Sequence, residues 1–256
     1  MAAIPIPARA SRLTMGAGLR QDRCDHARED GAGRRTLAGA ALLWLAASPA
    51  MASESPWSGA VILQADAALA GAAPGPAGQR FDEAYAPGRR AAIEVQRRTG
   101  ELGELFITLA QTRAEGEAFS GASGSGGAGA TARLSALRAA SLELGYRRRL
   151  LVFFAGVQPS LSARVGVVRT GAIALLTSQE GSSAATVGLT RASTAALLGA
   201  DLGLAYQIGR QTEISAEIGL RYTGPLLKDR SAASTGGGGA EGRLSLPVGV
   251  RVTTRF

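Results

Sequence analysis

Between residues 57 and 256, apolar and polar residues alternate with period two in segment after segment, separated by polar or glycine-rich breaks. This is the pattern of strands whose two faces meet different surroundings. In Thr212 to Thr223, Ile214, Ala216, Ile218, Leu220 and Tyr222 share one face, and Glu213, Ser215, Glu217, Gly219 and Arg221 share the other. The preceding run sets Leu198, Ala200, Leu202, Leu204 and Tyr206 against Gly199, Asp201, Gly203, Ala205 and Gln207. The final run sets Leu244, Leu246, Val248, Val250, Val252 and Phe256 against Arg243, Ser245, Gly249, Arg251 and Arg255. Extended along the chain, the pattern predicts eight strands: Trp57 to Leu69, Arg90 to Arg98, Glu104 to Glu117, Ala132 to Arg147, Leu151 to Val167, Ser193 to Gln207, Thr212 to Thr223 and Arg243 to Phe256.

Most of these exceed the roughly 9 to 11 residues a tilted strand needs to cross a bilayer. Short turns fall near Gly100, near Arg148 and at Gly209, whereas long polar loops occupy about 70–89, 118–131, 168–192 and 224–242. Short connections on one rim and long ones on the other are the asymmetry of an outer-membrane barrel. The fold class expected is therefore all-β, an eight-stranded antiparallel transmembrane β-barrel. With both ends of the barrel on the short-turn side, Trp57, Tyr146, Phe153, Tyr206 and Phe256 fall on that rim. There they read as a girdle of aromatic rings at the membrane interface.

Composition adds Gly at 35 residues and aromatics at only 5%, which favour many short elements over a helical bundle. Ahead of the strands, Arg34 and Arg35 precede an apolar stretch, Leu37 to Ala47, and then Ala50-Met51-Ala52. A basic region, an apolar core too short to span a bilayer and a small-residue site describe a cleavable secretory signal peptide. The organisation expected is a disordered leader or over-extended gene start at 1–33, a signal peptide at 34–52 and a barrel at 53–256. Cleavage after Ala52 leaves 21 of the 28 basic and 16 of the 20 acidic residues, a mildly basic chain of net charge +5. It also removes Cys24 and His26, so that disulfide, thiolate and imidazole chemistry are lost to the mature protein.

Two segments carry a family resemblance. Val248 to Phe256 alternates and ends on an aromatic residue, and Gly199 to Thr223 joins Gly-Leu-Ala-Tyr to Gly-Leu-Arg-Tyr through a short turn. Together they resemble the last strands of small outer-membrane barrels of the opacity-protein and OmpA transmembrane-domain type. The resemblance implies a bacterial outer-membrane location and recognition of Phe256 by the outer-membrane assembly machinery. Pro247 departs from it, because proline cannot donate to a ladder and implies a bulge or an unpaired position in the last strand.

Charged residues on the polar face are the remaining candidate chemistry. Asp66, Glu94, Glu143, Asp201, Glu213 and Glu217 share that face with Arg98, Arg147, Arg221, Arg251 and Arg255. An eight-stranded barrel is just wide enough for side chains to fill, so these groups are expected to form a paired interior network and not a catalytic pair. A serine with no base beside it is unactivated, and no catalytic residue, metal ligand or cofactor is expected. Gly124-x-Gly126-x-x-Gly129 matches a dinucleotide fingerprint only as text, since it lies in a Gly, Ser and Ala tract between strands with no helix to follow. Gly236 to Gly239 reads as loop. The run Arg147 to Arg149 reads as a solvated cluster at a turn, not a nucleic-acid site.

Arg113 and Arg138 break the pattern on the lipid-facing side. They are candidates for contact with lipopolysaccharide phosphates, against the alternative that they snorkel to water. Three functions follow: a structural or surface-interaction barrel whose loops meet unknown ligands, a narrow channel for small or hydrophobic solutes, or a soluble lipocalin-like binder. Outer-membrane lipids and lipopolysaccharide are the expected partners of the first.

Overall fold

Period-two alternation becomes twelve strands and one short helix in the computed structural model, which describes residues 55–74, 80–120, 131–151, 156–178, 185–227 and 241–256. The strands are β1 (Trp57–Ala70), β2 (Gly88–Arg98), β3 (Gly103–Ala114), β4 (Ala118–Ser120), β5 (Thr131–Leu134), β6 (Leu137–Arg149), β7 (Val157–Thr170), β8 (Ile173–Ser178), β9 (Ala185–Thr190), β10 (Ser193–Gln207), β11 (Thr212–Thr223) and β12 (Arg243–Arg255), and the helix is α1 (Phe81–Ala84). Eight strands close a barrel in the order β1-β12-β11-β10-β7-β6-β3-β2, every neighbour antiparallel. Closure leaves no free strand edge, which is what a sheet must achieve to stand in lipid. The leader, the signal peptide, the Gly124 tract, Gly236 to Gly239 and Phe153 lie outside the described residues.

The two faces are sorted as the alternation requires, and the apolar one points outward. Leu63, Ile93, Leu109, Leu142, Leu144, Val165, Leu202, Ile218 and Val250 are all exposed. Their inward neighbours Gln64, Glu94, Thr108, Glu143, Arg164, Asp201, Glu217 and Arg251 are buried. This is the reverse of a soluble lipocalin-like barrel, which would bury the apolar face. On β6 the outward band runs from Tyr146 to Arg138, about 27 Å of strand at 3.4 Å per residue, the length a tilted strand spends in a hydrocarbon layer.

Several boundaries differ from the alternation: β3 ends at Ala114 and not at Glu117, and the differences in the fourth and fifth barrel strands have local reasons. The fifth barrel strand runs from Val157 to Thr170 and not from Leu151 to Val167: Gly156 takes a left-handed φ of +80° and turns the chain, leaving Leu151 exposed in a connection. The fourth does not begin at Ala132. Ser135 splits it, its N–H donating to the Ala174 carbonyl (2.8 Å) and its Oγ accepting from the Ala174 N–H (3.0 Å), so that Thr131–Leu134 leaves the barrel. At its other end β6 continues two residues past Arg147, fixed by the Arg149 N–H donating to the Leu102 carbonyl (2.7 Å).

The segments expected as the loops 118–131 and 168–192, with the first residues of the expected fourth strand, instead supply a second, four-stranded sheet, β4-β5-β8-β9. The unpaired position expected at Pro247 is present on one side of the strand only, since Pro247 pairs with Asp66 of β1. Towards β11, residues 219 and 220 find no ladder partner opposite Pro247 and Leu246, although pairing resumes in the same register on both sides, from Ile218↔Val248 to Arg221↔Ser245.

One close approach inside the barrel fixes a glycine. A Cβ at Gly145 would run into the ring of Phe106 and meet the Ala163 carbonyl oxygen at 2.6 Å. Gly145→Ala is therefore expected to lose about 1–3 kcal/mol through overpacking, read as a lower unfolding midpoint of the refolded barrel.

Candidate functional site

Inward-facing charges meet across the lumen because the barrel is narrow and its strands present them at staggered heights. Glu143 on β6 is held by Arg90 of β2 (2.7 Å), by Arg164 of β7 (3.0 Å) and by the Ser141 hydroxyl (2.6 Å). Arg164 also binds Asp201 of β10, which accepts from Ser162 as well. A second group joins Glu94 to Arg147 (3.2 Å), to the Thr108 hydroxyl (2.9 Å) and to Arg251 (3.5 Å), while Arg251 binds Glu217 at 2.7 Å. Arg149 reaches Glu104 (2.7 Å) and Glu213 (2.5 Å), the latter from the opposite wall. From β1, Gln64 accepts from Arg90 (2.8 Å) and Asp66 lies 3.7 Å from Arg243. All eight barrel strands thus contribute to one filled interior.

An aromatic ring sits inside this network. Phe106 lies between the guanidinium groups of Arg147 and Arg164, 4.7 and 5.3 Å from its centroid, where the ring quadrupole favours positive charge.

The expected interior residues are mostly brought together, with exceptions. Arg98 is exposed at the short-connection rim and takes no part. Arg255 is half-exposed and only 3.9 Å from Glu213. Arg221 is buried, but no carboxylate lies within ion-pair distance of it among the described residues. The turn reading of Arg147 to Arg149 also needs correcting: Arg148 is exposed, but Arg147 and Arg149 are buried and paired. Alternation carried two residues further would have placed Arg149 inside. Arg90, Glu104 and Arg164, all central here, were legible from the same parity.

The long-connection rim is closed by a small apolar core. Phe81, Ala84 and Tyr85 pack with Ala73, Ala114, Leu134, Leu137, Ile173 and Leu226, with Ala68, Leu175 and Leu189 at the margin. α1 is tied down by Arg80, which donates to the Leu69 carbonyl (3.0 Å) and whose N–H donates to Glu83 (3.2 Å). Phe81 and Tyr85 stack at 5.7 Å, and Arg243 lies 5.6 Å above the Phe81 ring, linking this cap to the ionic interior. Burial pushes the Tyr85 phenol up from its ordinary range, against the opposing pull of Arg243. The strand-forming runs Ile173 to Ser178 and Ala185 to Thr190 were the available signal for the second sheet.

Of the aromatic residues expected at the opposite rim, Trp57, Tyr146 and Tyr206 are outward and exposed, and Arg97 stacks on Trp57 at 5.5 Å. Phe256 is half-buried, its N–H directed at the Trp57 carbonyl (3.4 Å). Arg113 and Arg138 lie opposite each other on the outward face, as expected. Among the described residues no group of His, Cys, Asp or Glu is arranged to hold a metal ion.

No protein-family model matches the chain, and no curated protein matches it. Among solved structures it is similar to Neisserial surface protein A, NspA, with 15% identity and a TM-score of 0.48 over 79% of this chain and 98% of that one. It is also similar to the outer membrane protein OprG from Pseudomonas aeruginosa, with 8% identity and a TM-score of 0.44 over 80% of this chain and 99% of that one. A major outer membrane protein from Thermus thermophilus gives 15% identity and a TM-score of 0.44 over 77% of this chain and 99% of that one. The chain has the fold of a small eight-stranded barrel. That statement rests on its own strand pairing.

Proposed function

We propose that this chain is an integral protein of the bacterial outer membrane: a non-conducting, non-catalytic barrel that holds a folded surface of loops and β4-β5-β8-β9 outside the cell. The observation that carries the reading is the pairing of an apolar, lipid-facing exterior with an interior filled by ion pairs and capped by an apolar cluster. An exterior of this kind suits lipid, and the side chains of Arg149–Glu213 and Arg147–Glu217 that reach across the lumen support a closed interior. The basic and apolar stretch from Arg34 to Ala47, followed by Ala50-Met51-Ala52, supports export through a cleaved signal peptide.

The channel reading finds no equivalent support. Opening a path would expose charges whose partners lie on facing strands, at several kcal/mol for each broken buried pair. Reconstituted in planar bilayers, the refolded mature chain is expected to give no discrete conductance steps. Regular single-channel steps would overturn the closed-lumen reading in favour of a narrow channel.

A further inference from the structure

The outward face carries more arginine than the pattern violations at Arg113 and Arg138. Strand register places Arg89 of β2 opposite Arg113 of β3, and Arg113 opposite Arg138 of β6. Three guanidinium-bearing positions therefore lie in one row on three consecutive strands, about 4.8 Å apart at the backbone. On the next strand Arg169 of β7 pairs with Ala140, two residues below Arg138 on the same face. Arg89, Arg138 and Arg169 are exposed and Arg113 is half-exposed, so all four point away from the filled lumen.

Their surroundings argue for a built site. The row stands at the upper edge of the apolar band, one outward position above Ala91, Gln111 and Ala140, which are themselves aligned across β2, β3 and β6. With two alanines and one amide exposed there, no bulky apolar side chain of that row stands directly beneath the guanidiniums. Glu115 accepts from Arg113 at 2.8 Å and orients it. At the same ends of the other four barrel strands the outward residues are Thr194, Tyr222, Leu244 and Leu69, none of them charged. Snorkelling charges that merely mark an interface have no reason to collect on one half of the circumference. Like charges on neighbouring strands repel, and an anion between them reverses the sign of that interaction.

Resting on the membrane reading above, we propose that Arg89, Arg113, Arg138 and Arg169 form a binding site for the phosphate groups of lipopolysaccharide in the outer leaflet. Each guanidinium offers paired N–H donors matched to phosphate oxygens, and four of them over four strands suit a headgroup bearing more than one phosphate. Gln111 supplies a neutral donor to the sugar below them.

The test folds the full mature chain and the variant R89Q/R113Q/R138Q into vesicles of phosphatidylcholine alone, of phosphatidylcholine with lipopolysaccharide, and with enzymatically dephosphorylated lipopolysaccharide. R148Q, an exposed arginine at the opposite rim, serves as control. The parent and R148Q are expected to retain roughly tenfold more intact lipopolysaccharide than the triple variant after detergent extraction. They should also show an unfolding midpoint raised by intact lipopolysaccharide only. All three proteins should insert and unfold alike in phosphatidylcholine. Equal retention by parent and triple variant, or equal retention of the dephosphorylated lipid, would overturn the phosphate site while leaving the membrane reading intact. Failure of the parent to enter any of the vesicles would overturn both. Free inorganic phosphate that competes at millimolar concentration would show a general anion site and also reject the lipid assignment.

Discussion

Glu143→Ala is expected to destabilise the barrel by about 3–5 kcal/mol, the cost of removing one partner from a buried ionic cluster and leaving the other charges uncompensated. Glu143 receives Arg90 at 2.7 Å and Arg164 at 3.0 Å, and all three side chains are almost wholly shielded from solvent. Arg164 keeps Asp201 and Arg90 keeps Gln64. Neither remaining contact replaces the lost carboxylate between the two guanidiniums. The measurement is the urea midpoint of heat-modifiable, refolded protein in vesicles. Glu143→Gln, which keeps an acceptor but no charge, should fall between the parent and Glu143→Ala. A midpoint unchanged in Glu143→Ala would mean that the lumen is open to water and that the ion pairs are screened.

The adjacent position gives the second large effect by the opposite route. Leu142 points outward from the middle of the apolar band, between Tyr146 towards one rim and Arg138 at the other, and is 49% exposed. Leu142→Arg should cost about 2–4 kcal/mol when the barrel is folded into a bilayer, because the charge must be held near the midplane. In a water-soluble barrel the same exposed substitution would change stability by no more than about 0.5 kcal/mol. Comparing the variant's unfolding in vesicles with Leu142→Ala, which removes apolar surface without adding charge, separates the lipid term from lost packing. A cost near zero for Leu142→Arg would show that this face does not meet lipid.

Positions 142 and 143 also show how far a sequence of this type can be read. Whether a residue faces in or out depends on parity along a strand, and parity is a local property. The outward direction of Leu142, Ile218 and Val250, the inward direction of Glu94, Glu143 and Asp201, and the alternation of long with short connections were legible without tertiary information, but what the long connections contain was not. The errors fall where a strand stops being a simple run. Arg149 was missed because β6 continues past Arg147, and Ala132 to Leu134 were assigned to the barrel because they too have strand character.

Local alternation therefore determined the number of barrel strands, which face is apolar and turned outward, and most of the charges that lie inside. It could not determine pairing partners, because an ion pair such as Arg149–Glu213 joins residues on strands separated by two others, and only closure and register bring them together. The second sheet has the same origin. β4 pairs with β5 and β8 with β9 inside their own connections, but β5 and β8 pair across two different connections of the barrel, and that ladder forms only when the barrel holds the two hairpins side by side. The arginine row was half visible, since Arg113 and Arg138 violated the pattern on a single hairpin. Its extension to Arg89 and Arg169 depends on how β2 and β7 align with that hairpin, which is fixed by the stagger of the whole barrel and not by any one segment.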